Sequence, residues 1–148
     1  MGGSVTVPKE IGIYMESLTF PLSPETLTAT WLTDVMQAAA ELPLNLQVQS
    51  FSVEPVGEIV GVIGEVVRVR LNYSATCQAP SSVVIKFAHR NPENRAIANN
   101  TRMYEREVMF FNEIASQIDI PLTRCYFAEM DLSAGGNAVV IEDLIDYR

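Results

Sequence analysis

A single lysine within an otherwise apolar segment is the first candidate for chemistry in this sequence. Lys86 lies in Val83-Val84-Ile85-Lys86-Phe87-Ala88, a run that has the β-branched and aromatic composition of a buried strand. An ammonium group in such surroundings is driven toward its neutral form unless an anion lies beside it. We therefore expect a carboxylate partner for Lys86. The alternative is an edge-strand lysine whose side chain extends to water and discourages edge-to-edge pairing.

Glu107 is the candidate partner, because it lies on the apolar face of a predicted long helix. The apolar residues of that helix recur at helical spacing: Tyr104, Val108, Phe111, Ala115 and Ile118. A projection at about 100° per residue places Glu107 inside this apolar arc. The charged neighbours fall outside it: Glu105, Arg106 and Glu113. Burying an ion pair for stability alone is often no better than burying hydrophobic groups, so two inward charges indicate a functional pair. A structural salt bridge is the alternative.

Three glycines between the first two predicted strands form the next candidate. They have the spacing Gly57-x-x-x-Gly61-x-x-Gly64. The bare backbone of such a hairpin can approach phosphate groups closely and present its amide N–H groups to them. Glycines in a hairpin are also ordinary turn residues, so this spacing by itself leaves both interpretations open.

The elements that must position these residues can be read from hydrophobic periodicity. Ser23-Pro24-Glu25 has the cap, proline and early acid of a helix start, and the helical stretch, one long helix or a helical hairpin, ends near Pro43. Strands are predicted over 46–55, 62–73, 83–88, 124–130 and 137–141, with a turn at 91–94. Strands joined by short loops favour antiparallel pairing. The predicted fold is therefore α+β, a five-stranded antiparallel sheet with one long helix on it, preceded by N-terminal helices.

Length and composition narrow the possible functions. The chain has 148 residues, of which 48% are hydrophobic, and this suits one domain with a substantial core. Its net charge of −8 leaves no broad positive field, so nucleic acid is not expected as a partner. Two cysteines and a single histidine suit neither a disulfide framework nor a zinc site. With no signal peptide and no apolar run long enough to span a bilayer, we expect a cytoplasmic protein without a membrane partner.

Four segments of the chain occur in an order that is informative. They are Pro80–Lys86, Tyr104–Phe111, Arg124-Cys125-Tyr126 and Ile141-Glu142-Asp143-Leu144. Together they resemble the aminoglycoside phosphotransferase-like kinases, in particular the ecdysteroid kinase-like, or choline kinase-like, branch. The resemblance implies a protein-kinase-like N-terminal lobe that binds nucleotide over residues 21–148, after a partly flexible leader over 1–20.

The resemblance also implies roles at the phosphate end of an ATP site. Lys86 would hold the α- and β-phosphates, and Glu107 would orient Lys86. The hairpin glycines Gly57, Gly61 and Gly64 would cover the phosphates.

At the base end, the resemblance places Ile141 at the back of the adenine pocket. The backbones of Glu142 and Leu144 would bind the adenine edge as a hinge. Such kinases continue into a helical lobe that carries the catalytic aspartate and the ligands for Mg²⁺. The present sequence ends at Arg148 without that loop, so we expect no catalytic and no metal-binding residue in this chain.

The expected function follows from these implications. The chain would be the nucleotide-binding lobe of an ATP-dependent phosphotransferase acting on a small-molecule alcohol, incomplete and inactive alone. The alternative is a non-catalytic binding or dimerisation module that retains the kinase N-lobe fold. An uncovered lobe interface would also favour a homo-oligomer. The apolar residues expected on that surface are Ile59, Val60, Val62, Val139 and Ile141.

Overall fold

The computed structural model describes residues 19–57 and 63–145, which include all five predicted strands except the start of the second. The predicted leader, apart from its last two residues, and Gly61 lie outside the described residues, as do Ile59, Val60 and Val62. Over 19–57 and 63–145, no helix is long and apolar enough to cross a membrane.

Five antiparallel strands form one sheet and confirm the predicted α+β architecture. They are β1 (Val48–Pro55), β2 (Gly64–Tyr73), β3 (Ser82–Ala88), β4 (Cys125–Asp131) and β5 (Gly136–Glu142). The strand order is β1-β2-β3-β5-β4, so β3 is central and β1 and β4 are the edges. The predicted bounds fall within two residues of these, because alternation of apolar and polar side chains is a local signal.

The N-terminal helical region is shorter than predicted. A 3₁₀ turn (Pro24–Thr26) is followed by one helix, α1 (Ala29–Ala38), which does not extend to Pro43. Leu27 is extended between them, with φ −61° and ψ 141°. The hydroxyl of Thr28 accepts a hydrogen bond from the backbone N–H of Trp31 at 3.1 Å, so Thr28 is the N-cap of α1. A second cap five residues after Ser23 thus divides the predicted long helix or hairpin into a turn and a single helix.

Helix α1 packs on one face of the sheet and closes the main core. It contacts both edge strands, β1 and β4. The ring of Trp31 meets that of Phe127 edge to face, with centroids 5.2 Å apart. The alternate residues of β3 point into this core, and Lys86 therefore lies on the opposite face. The largest fully buried side chains of the core are Leu32, Met36, Val69, Val83, Ile85, Phe87 and Val140.

The predicted turn at 91–94 is wrong, because this segment begins a helix, α2 (Pro92–Asn100). The side chain of Asn91 accepts hydrogen bonds from the backbone N–H groups of Glu93 and Asn94, at 2.8 and 3.5 Å. Pro92 occupies the first helical position. Asparagine followed by proline marks both turns and helix starts, so the same residues fit either structure locally.

The helix predicted around Glu107 is present, because residues 103–117 are helical without a gap, but it is not a regular α-helix over its whole length. It consists of α3 (Met103–Met109), a π-helical turn (Phe110–Ile114) and a 3₁₀ turn (Ala115–Gln117). Arg102, in the left-handed region with φ 56°, separates α2 from α3. The side chain of Asn112 donates to the backbone carbonyl of Ala128 at 3.0 Å and ties the widened turn to β4. The side chains still share one face, and α3 packs against β4 and β5.

A first prediction concerns the contact between α1 and the sheet. Leu32→Ala removes a fully buried side chain from the main core and should lower the free energy of unfolding by about 2–5 kcal/mol, because a cavity remains. Leu44→Ala makes the same chemical change at an exposed residue and should alter stability by less than about 0.5 kcal/mol. Urea denaturation followed by circular dichroism measures both. Equal effects of the two substitutions would contradict the placement of α1.

Candidate functional site

The predicted contact between Lys86 and Glu107 is present. Lys86 Nζ lies 2.8 Å from Glu107 Oε1. Lys86 is paired with Val66 on one side and Val139 on the other, at the middle of the sheet. Tyr104 and Val108 of α3 are buried and pack the helix against the face of the sheet that carries Lys86. Glu107 directly precedes Val108. The helix therefore delivers one carboxylate to the central strand.

The ion pair is less buried than the sequence suggested. The Lys86 and Glu107 side chains retain 37% and 29% of their accessible surface. Both residues line a cavity of about 540 Å³ between α3 and the starts of β2 and β5. Its other lining residues are Ile63, Gly64, Val66, Phe87, Met103, Tyr104 and Asn137. The volume lies within the range of about 300–1,000 Å³ that is typical of small-molecule sites.

Tyr104 connects the parts of this cavity. Its buried hydroxyl donates a hydrogen bond to the backbone carbonyl of Ile63 and accepts one from the backbone N–H of His89, at 3.1 Å from the nitrogen. The contacts join the start of β2 and the end of β3 to the helix that carries Glu107. The sequence indicated Tyr104 only as an apolar helix residue, because its hydroxyl partners are backbone groups 41 and 15 residues away.

The described glycines have structural reasons to be glycine. Gly57 has φ +88° in the turn after β1, a conformation that L side chains rarely adopt. A Cβ on Gly64 would lie 2.8 Å from the backbone oxygen of Phe87, so β2 and β3 approach closely there. Gly64 lines the cavity, whereas Gly57 does not. The ordinary turn and packing interpretation thus accounts for both, and a role for the hairpin in covering phosphates stays a prediction.

Asn137 is a site residue that the sequence analysis missed. It is buried and lines the cavity, and its Oδ1 has no hydrogen-bond partner among residues 19–57 and 63–145. It lies two positions from Val139, which pairs with Lys86, so the two polar side chains are diagonal neighbours on one face of the sheet. The available signal was an amide at the start of an otherwise apolar strand.

The residues predicted to hold adenine lie at the other end of β5. Ile141 is half-buried and packs against the cluster around Val139. The backbone N–H of Glu142 donates to the carbonyl of Arg124 at 2.8 Å, so that N–H belongs to the sheet. Leu144 follows the strand and is exposed. The structure thus brings Lys86, Glu107 and Gly64 to one cavity and places Ile141, Glu142 and Leu144 outside its lining.

One expected surface residue is placed wrongly by the sequence analysis. Val139 is fully buried under α3, in contact with the cluster of Val108 and Ala128. It therefore cannot belong to an exposed apolar interface. The period-two pattern places Val139 and Ile141 on one face of β5, but only the packing of α3 decides which part of that face is covered.

The face of the sheet that carries Lys86, here called the cleft face, has a second polar cluster, which centres on Asp143. Its carboxylate accepts hydrogen bonds from Nε and Nη2 of Arg68, at 2.6 and 3.2 Å, and from the hydroxyl of Ser82 at 2.7 Å. It also accepts from the backbone N–H of Ile145 at 3.2 Å. The guanidinium of Arg68 holds the pKa of Asp143 below its ordinary value. Asp143 belongs to the segment Ile141-Glu142-Asp143-Leu144, but its sequence context predicted no role for it.

Comparison of the chain with protein-family models and with curated proteins finds no match. Function is therefore inferred from the chemistry of the site.

The exposure of the Lys86–Glu107 pair leads to a prediction about stability. Glu107→Gln should lower the free energy of unfolding by less than about 1 kcal/mol, because a solvent-screened ion pair contributes little. Glu105→Gln, which removes a carboxylate from the same helix without touching Lys86, is the matched control. Denaturant titration of both variants measures the difference. A loss of several kcal/mol for Glu107→Gln alone would identify the pair as a structural salt bridge.

Proposed function

We propose that this chain is the nucleotide-binding lobe, kinase-like in fold, of an ATP-dependent phosphotransferase that acts on a small-molecule hydroxyl. The observation that supports the proposal is the 2.8 Å contact between a lysine of the central strand and a glutamate of the packed helix, at the side of a cavity. The pair is partly exposed and lines the cavity, so its lysine is accessible to an anionic ligand, as a phosphate-binding residue must be.

The chemistry of the pair suits phosphate binding. Glu107 takes one of the three N–H donors of the Lys86 ammonium, and among the described residues the other two remain for phosphate oxygens. The carboxylate also restricts the long lysine side chain, so less conformational entropy is lost when a ligand binds. In the proposed complex, Lys86 binds the α- and β-phosphates of ATP, and Glu107 orients it.

The part of the proposed site that would bind adenine, its base end, lies two residues along β3 from Lys86. Val84 pairs with Ile141, two residues from the pairing of Lys86 with Val139. Two residues of a strand span about 6.6 Å, so a ligand with phosphates at Lys86 reaches this row with its sugar and base. Ile141 then lies behind adenine, and the backbone carbonyl of Glu142 and the backbone of Leu144 bind its edge.

Electrostatics set the expected strength of binding. The chain has a net charge of −8, which repels a polyphosphate from most of the surface. Mg²⁺ reduces that repulsion when it is bound to the nucleotide, and in the proposed phosphotransferase it would be held by carboxylates of a second lobe. We therefore expect this chain alone to bind MgATP weakly and to leave its γ-phosphate in place.

Binding is tested with Lys86→Met. Isothermal titration with MgATP should give a measurable affinity for the unchanged protein and at least a tenfold loss, about 1.4 kcal/mol, for the variant. Arg106→Met removes a positive charge from an exposed position of the same helix as Glu107 and should leave the affinity within about twofold. Equal affinities for all three proteins would reject Lys86 as the phosphate-binding residue and would favour a non-catalytic module.

Absence of catalysis is a separate expectation. With MgATP and a panel of alcohols that includes choline, a sterol and an aminoglycoside, the chain should release no phosphate and form no phosphorylated product, because the proposed arrangement assigns the groups that position the acceptor to a second lobe. Mass spectrometry of the reaction mixture measures both. Turnover that disappears in Lys86→Met would show that this chain carries catalytic groups of its own.

A further inference from the structure

The cluster around Asp143 is a second polar network on the cleft face, and the Lys86 site does not use it. The Asp143 side chain retains only 3% of its accessible surface, although it is charged. Removing a carboxylate from water is costly, and here four hydrogen bonds compensate for the loss. The partners come from β2, β3 and the segment that follows β5. The network therefore fixes the chain where it leaves the sheet.

The position of this network relates it to the proposed nucleotide. Arg68 pairs with Val84, and Val84 pairs with Ile141, so these residues form one row across β2, β3 and β5. The neighbouring row on the same face contains Val66, Lys86 and Val139. Rows that are two residues apart are separated by about 6.6 Å. The Asp143 network therefore lies at the base end of a ligand whose phosphates contact Lys86.

The contacts of Arg68 are specific to a guanidinium group. Two of its nitrogens bind the two oxygens of Asp143, and a third, Nη1, lies 3.5 Å from Glu54 Oε1. A lysine cannot make this forked contact, although it keeps the charge. The Asp143 oxygen that accepts from Arg68 Nη2 also accepts from the backbone N–H of Ile145. The orientation of Arg68 and the backbone of residues 143–145 are thus set together.

We propose that Arg68 and Asp143 are positioning residues that fix the backbone after β5 for a heteroaromatic base, and so select a nucleoside triphosphate over a bare polyphosphate. The inference rests on the proposed function for the location of the phosphates. A backbone segment outside the sheet loses conformational entropy at each residue when it is ordered, and this loss opposes binding. The network orders residues 143–145 before any ligand binds, and the base then binds without that cost.

The test compares MgATP with magnesium tripolyphosphate, which has the phosphates without a base, by isothermal titration. Arg68→Lys and Asp143→Asn should weaken MgATP binding at least tenfold and leave tripolyphosphate binding within about twofold. Arg70→Lys is the matched control, because Arg70 lies on the same strand and contacts Glu54 but not Asp143. It should change neither affinity. Ser82→Ala, which removes one hydrogen bond from Asp143, is a milder variant with a smaller effect of the same kind.

The outcomes separate this inference from the proposed function. If the Arg68 and Asp143 variants lose affinity for both ligands equally, or for neither, the inference is overturned. The proposed nucleotide binding by the unchanged protein is not affected by either result. If the unchanged protein binds magnesium tripolyphosphate as tightly as MgATP, the site does not recognise the base. Both the positioning role of Arg68 and Asp143 and the proposed nucleotide site are then rejected. Thermal melting of each variant identifies any that is unfolded; in that case Ser82→Ala decides, since it must reduce the preference for MgATP.

Discussion

Strand β3 is hydrogen-bonded on both sides, and one of its faces is buried in the main core while the other lies beside the cavity; this position constrains the rest of the structure. Because successive side chains alternate, Val83, Ile85 and Phe87 enter the core under α1, while Lys86 is directed to the other face. A shift of one residue in register would place the ammonium in the main core and three large apolar side chains in the cleft. The burial of the core therefore also fixes the position of Lys86.

Charges on the cleft face occur as matched pairs, although the chain as a whole is acidic. Lys86 is paired with Glu107, and Arg68 with Asp143. The two pairs differ in exposure, because the first lies beside a cavity and the second is enclosed between strands and the segment after β5. A half-exposed ammonium with unused donors can bind an anion, whereas an arginine whose nitrogens are engaged can only hold its surroundings in place. Lys86 is therefore suited to bind an anion, and Arg68 to hold its neighbours in position.

The segment that carries Glu107 shows how contacts with the sheet override local helical preference. Met103–Met109 is α-helical, and the following turn widens to the π form where Asn112 contacts β4. Tyr104 holds the first turn against the ends of β2 and β3. The helix is therefore fixed at both ends of its contact with the sheet, and Glu107 lies between these two attachments. These two attachments keep the Glu107 carboxylate beside Lys86.

The sequence by itself determined the five strands, their approximate bounds and the pairing of Lys86 with Glu107. These follow from periodicity, a short-range property that reports which side of a strand or helix a residue occupies. Only the tertiary structure decided the break between α2 and α3, the burial of Val139 and the burial of Asn137 Oδ1 without a hydrogen-bond partner among the described residues. It also decided the bond between Asp143 and Arg68, which are 75 residues apart. Such contacts depend on which strands become neighbours and where a helix crosses them, and no local pattern encodes either.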